Sequence, residues 1–178
     1  MRYFYWSIGI IFFIGIIILG VIIYKKEMIK KRKNDILKIF TDACERNHVT
    51  EYTLEHAKKE TYDYYFEGPN HIYFVKIIDN YANHEICINN AIKWQLRRIN
   101  ENQEKTMFVE GIEALMRFDF GKTSKKAHKL FIIYPNTRAL LKVINECEMV
   151  FVYPDTDVYG ANVVSYKRLV ENPEWIEV

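Results

Sequence analysis

Residues 62–79 read YDYYFEGPNHIYFVKIID, and the fold turns on this stretch. Two runs dense in aromatic and β-branched residues, Tyr62–Glu67 and His71–Asp79, flank the turn signal Gly68-Pro69-Asn70. This pattern predicts an antiparallel hairpin. Side chains alternate across a strand, so Ile72, Phe74, Lys76 and Ile78 share one face while Tyr73, Val75, Ile77 and Asp79 share the other. Lys76 therefore sits on an otherwise apolar face. Tyr62, Tyr64, Tyr65 and Tyr73 read first as sheet builders through cross-strand pairing; a tyrosine-lined peptide groove is the second use.

Downstream of the hairpin, Glu85–Ile88 reads as a strand followed by a helix reaching Ile99, with one continuous helix as the alternative. Met107, Phe108, Ile112, Leu115 and Met116 mark a further helix. Leu130–Tyr134 is a short apolar strand stopped by Pro135, and Asn136 suits a helix N-cap. Leu140, Leu141, Ile144 and Cys147 then form a helical face, and Met149–Tyr153 is the next strand. Strand, helix and strand in that order predict a right-handed parallel βαβ unit. Asn162–Val164 is a last edge strand, and Ser165 caps a short helix. Upstream, Ile36, Leu37, Phe40 and Cys44 predict an amphipathic helix through about Glu45. A second short helix is expected over Thr53–Lys59. The fold class is α+β or α/β: one mixed-sheet domain over residues 34–178, a hairpin plus βαβ.

The N-terminus differs in kind. No charged side chain occurs from Tyr3 to Tyr24, where Ile, Phe, Leu, Val and Gly dominate. Twenty-two helical residues span roughly 33 Å, against a hydrocarbon core of about 30 Å. Tyr3, Tyr5, Trp6 and Tyr24 stand at the ends, where amphipathic rings favour the interface. Only Arg2 precedes the run, whereas Lys25, Lys26, Lys30, Lys31, Arg32 and Lys33 follow it. The excess of cations on the C-terminal side places that side in the cytoplasm. The expected layout is a short outer N-terminus at 1–2, a transmembrane helix at 3–24, a basic juxtamembrane segment at 25–33 and a cytoplasmic domain at 34–178. The basic segment suits anionic lipid headgroups. A cleavable signal is disfavoured by the length of the run and the absence of a small-residue cleavage site. Enrichment in Ile, Lys, Asn and Tyr fits an AT-rich bacterial genome and hence a bacterial cell membrane.

Charge separates in the same way. Residues 1–33 hold seven of the 25 Lys/Arg and one of the 23 Asp/Glu, leaving 18 against 22, or −4, for the remainder. That balance disfavours nucleic acid as a partner of the domain as a whole. Cys44, Cys87 and Cys147 form no CxxC pair and read as reduced thiols.

Asp63 in YDYYFE, Lys76 in YFVKI and the later LFIIYPNTRALLKVINECEMVFVYP resemble the restriction-endonuclease-like PD-(D/E)xK superfamily, in particular its membrane-anchored nuclease-related domains. The resemblance covers residues 60–170. It implies two carboxylates holding Mg²⁺, which stabilises charge on a phosphate and activates water beside a lysine. Asp63 would be the first carboxylate and Lys76 the lysine. The second carboxylate belongs two residues before the lysine, where this chain has Phe74. Glu67 or Glu85 would have to replace it, with Asp63 and Glu67 the metal ligands. With that motif broken, the preferred expectation is a non-catalytic binding or scaffold module for an unknown protein partner, without a cofactor. A tethered metal-dependent nuclease is the alternative.

Other polar residues carry weaker signals. His48, His56, His71, His84 and His128 show no metal-ligand spacing. Lys93, Arg97 and Arg98 beside Trp94 would form a basic stripe if helical. Asp155 and Asp157 suit a turn better than a cation site.

Overall fold

A computed structural model describes residues 2–57, 61–100 and 103–178, with side chains from Phe13 onward apart from positions 99–105. The chain divides into two compact units, 1–37 and 38–178.

The first unit is helical and belongs to α1, Arg2–Arg46. Among the described residues no helix is long and apolar enough to cross a membrane. Of the expected span, residues 3–12 lie outside the described side chains. Lys25, Lys26, Lys30, Lys31 and Lys33 are exposed along the helix, and Arg32 is half-buried. The helix ends where the sequence predicts. Asn47 donates from its side chain to the Ala43 carbonyl at 2.8 Å, and His48 turns into the left-handed region at φ 55°.

The second unit carries two five-stranded mixed sheets. Sheet A holds β1 (Thr53–His56), β2 (Tyr64–Glu67), β3 (His71–Asp79), β7 (Lys126–Tyr134) and β10 (Asn162–Ser165), in that order. Sheet B holds β6 (Gln103–Phe108), β5 (Trp94–Asn100), β4 (Glu85–Ile88), β8 (Leu140–Asn145) and β9 (Glu148–Phe151). The predicted hairpin is β2–β3, with Phe66 opposite Tyr73 and Tyr64 opposite Val75. Each sheet is an antiparallel meander of three strands joined to a parallel neighbour, β3 to β7 and β4 to β8. Two short helices complete the unit, α2 (Ile112–Met116) and α3 (Tyr166–Glu171). Ser165 caps α3 as predicted, its side chain accepting from the Arg168 amide.

The core lies between the sheets. Ile72, Phe74, Ile78, Phe131 and Ile133 from sheet A meet Ile86, Ile88, Trp94 and Leu140 from sheet B. Trp94 and Phe131 approach to 4.8 Å between ring centroids. Phe118 and Phe120 cover Phe74 at one end.

The chain passes between the sheets four times, and two of these crossings, β3–β4 and β7–β8, run side by side. Asn80 joins them. Its amide N–H donates to the Tyr134 carbonyl at 2.7 Å. Its side chain donates to the His84 and Asn136 carbonyls and accepts from the His84 amide, each at 2.9 Å. The side chain is buried, so these bonds stand where water cannot replace them.

Three expected helices are strands, and a fourth is strand only at its start. Thr53–His56 is β1; positions 58–60 of that expectation lie outside the described residues. Trp94–Asn100 is β5, although the strand expected at Glu85–Ile88 is present as β4. Gln103–Phe108 is β6, leaving only Ile112–Met116 helical. Leu140–Asn145 is β8, so the expected βαβ unit is not formed: β7 and β8 belong to different sheets. The physical reason is that Leu140, Leu141 and Ile144 satisfy helical spacing by accident. They lie in a strand that is apolar on both faces.

Candidate functional site

Three places gather polar or exposed apolar groups. The first lies at the end of the sandwich beside the hairpin. Here β2 and β3 bring together the expected pair: the Lys76 ammonium is 3.5 Å from the Asp63 carboxylate. The second Asp63 oxygen accepts from the Ile77 amide at 2.7 Å. Glu67 and Glu85 are placed elsewhere. Glu67 is four residues farther along extended chain from Asp63, roughly 13 Å by strand rise. It accepts from Lys125 and from the Tyr65 hydroxyl. Lys125 first, then Tyr65, holds the Glu67 carboxyl below its usual range. Burial, and then the bond to Glu67, pushes Tyr65 up to about 12. Glu85 belongs to sheet B, where it lies 3.8 Å from Arg138. Among the described residues no group of three His, Cys, Asp or Glu side chains is arranged to hold a metal ion.

The second place is a pocket of about 270 Å³ on the outer side of sheet A, lined by Tyr73, His128, Asp155, Trp175 and Glu177. His71 and His128 come from adjacent strands, with ring nitrogens 3.0 Å apart. Tyr73 stacks on His128 at 4.7 Å, and its hydroxyl accepts from the Glu177 amide at 3.2 Å. Burial lowers the pKa of His128, with neighbouring His71 and Lys126 acting in the same direction. Burial raises Tyr73 to about 12. Sequence spacing did not reveal this pair, because 57 residues separate partners that only the parallel β3–β7 register brings together.

The third place is the outer face of sheet B. Strand register sets Phe108, Gln95, Cys87, Leu141 and Phe151 in one row across β6, β5, β4, β8 and β9. Val143 and Met149 follow beside it. Phe108 is 67% exposed, Phe151 61% and Met149 50%. Cys87 is buried beneath Arg97, whose guanidinium donates to its sulfur at 3.7 Å. The basic stripe expected on a helix is thus split by a strand: Arg97 lies on this face and Trp94 in the core. Asp157 forms the turn expected of it, accepting from the Gly160 amide at 2.9 Å.

Comparison with protein-family models, with curated proteins and with solved structures finds no match.

Proposed function

We propose that this chain is a single-pass, membrane-anchored binding module whose cytoplasmic domain docks a protein partner on the outer face of sheet B. The observation that carries the docking is the exposure of Phe108 at one edge of this face and of Phe151 and Met149 at the other, with half-buried Leu141 between them. Large apolar side chains grouped on one sheet face mark an interaction surface, whereas scattered ones do not. Gln95 interrupts the row and Arg97 and Glu85 lie beside it, and this mixture of aromatic and polar groups suits a protein interface better than a bilayer.

Anchoring is supported by the uncharged run Tyr3–Tyr24 and by the exposure of every described apolar side chain from Phe13 to Tyr24. A helix apolar all round and exposed to water would be costly; in lipid it is stable. The cations from Lys25 to Lys33 orient it in a bacterial cell membrane and contact anionic headgroups. Cys147 offers a direct test of orientation, being exposed while Cys44 and Cys87 are buried. A membrane-impermeant maleimide should label it only after the cells are permeabilised; labelling of intact cells would reverse the topology.

Docking is tested by photo-crosslinking in cells from position 108 or 151, against Lys167 on the opposite side as control. A discrete protein adduct from 108 and 151 alone is expected. Equal or no adduct formation at the three positions would sink the docking reading.

The nuclease alternative, with Mg²⁺ as its cofactor, is favoured by one observation, the Asp63–Lys76 contact. The preferred reading treats this contact as a structural ion pair that fixes the hairpin through the Ile77 amide. It expects no Mg²⁺- or Mn²⁺-dependent cleavage of DNA by the full chain. Cleavage abolished by Asp63→Ala would reverse that judgement.

A further inference from the structure

A cleft of about 420 Å³ opens beside the paired crossings, lined by Asn83, His84, Glu85, Arg97, Arg98 and Arg138. Three separate features of the fold bring these residues together. Arg97 lies directly opposite Glu85 in the β4–β5 register, and Arg98 follows it. Arg138 arrives from the β7–β8 crossing, where the neighbouring Ala139 carbonyl accepts from the Ile86 amide at 2.9 Å. The Asn80 bonds to both sides of the His84 backbone fix the loop that forms the remaining wall.

The charge is unusual for its surroundings. Three arginines and one glutamate line the cleft, giving it a net positive charge on a domain whose sequence is net negative. Glu85 is largely buried and lies 3.8 Å from Arg138, so it orients that arginine while leaving the cleft cationic. Planar guanidinium forks match the oxygens of phosphate, and several arginines lining one cleft favour a multiply charged anion over a chloride or a single carboxylate. The volume falls in the range of small-ligand sites.

We infer that the cleft between Arg97, Arg98 and Arg138 binds a small ligand through a phosphate-type dianion. Two sources share that chemistry: a soluble phosphorylated or pyrophosphate compound, and a phosphomonoester lipid headgroup.

The test is calorimetric titration of inorganic pyrophosphate into the full chain, held in nanodiscs of neutral lipid. Saturable binding that weakens with added salt is expected. Arg97→Gln and Arg138→Gln should each weaken it by about tenfold or more while leaving the melting temperature unchanged. Lys26→Gln with Lys30→Gln, in the basic segment, should leave the affinity as it was. Repeating the titration with phosphatidic acid in the nanodisc separates the sources. Competition that disappears in Arg138→Gln identifies the headgroup as occupant, and unchanged pyrophosphate binding identifies a soluble ligand; both sustain the site. No binding, or binding insensitive to the arginine variants, overturns the inference.

Discussion

The two sheets are built to the same plan and finished differently. Each is a three-strand antiparallel meander continued by a parallel strand, and each gives its inner face to the common core. Their outer faces diverge. On sheet A, Phe40, Ala43 and Cys44 near the end of α1 lie buried, with Phe40 stacked on Phe66 at 4.8 Å. Leu169 of α3 is buried as well. On sheet B, Phe108 and Phe151 stand open to solvent. The difference teaches that an aromatic residue in a strand does not declare its role. Phe66 and Phe108 both lie on outer faces, one sealed within the protein and the other left for a partner.

The sharpest way to break this contrast is to truncate the sealed side. Phe66→Ala should cost about 3–5 kcal/mol, because burial is lost and a cavity remains between sheet and helix. Chemical unfolding checks it; a loss below about 1 kcal/mol would mean that the helix does not seal the face.

Asn80→Ala tests the joint that holds the two sheets in their common arrangement. It leaves the Asn136 carbonyl and the His84 amide without their Asn80 partner, while the His84 carbonyl keeps the Thr137 hydroxyl, at about 2–3 kcal/mol. Denaturant titration measures the effect, and a neutral result would show that the crossings hold without it.

A smaller effect is expected from pH, and only on sheet A. The folded-state pKa of His128 lies below the ordinary 6.5, chiefly through burial, so the unfolded chain takes up the proton first. His71, Lys126, Tyr73 and Glu177 surround it. Stability should be complete above pH 6.5 and decline as the pH falls through the lower folded-state value. Melting curves across that window should flatten in His128→Phe; an unchanged slope would assign the dependence to other groups.

The smallest effect belongs to the open face. Phe108→Ser and Phe151→Ser should each change stability by no more than about 0.5 kcal/mol in the isolated protein. A large loss would mean that these rings support the fold and are not reserved for docking.

The same contrast explains what could be read from the sequence. The hairpin was legible because Gly68-Pro69-Asn70 interrupts two strongly β-forming runs. The Ser165 cap and the end of α1 near Asn47 were legible because local chemistry sets both. Sheet B was misread as helix at positions 94–99, 107–108 and 140–145. A half-buried strand announces itself by alternating apolar and polar residues. In β8, Leu140 faces the core while Leu141 and Val143 face outward, and the alternation vanishes. The apolar outer residues of β8 therefore also obscured that strand. Of the candidate site, strand alternation placed Lys76 on its face, while Asp63 was paired with it only through the resemblance to the PD-(D/E)xK superfamily. The His71–His128 pair and the arginine cleft depend on parallel pairings between distant segments, which local sequence does not encode.

Carbene footprinting of the protein in native membranes, beside the purified chain in nanodiscs, tests the central claim most directly. Phe108, Met149 and Phe151 should be labelled in the purified protein and shielded in native membranes, while Phe66 is shielded in both. Equal labelling of the open face in the two preparations would contradict the account.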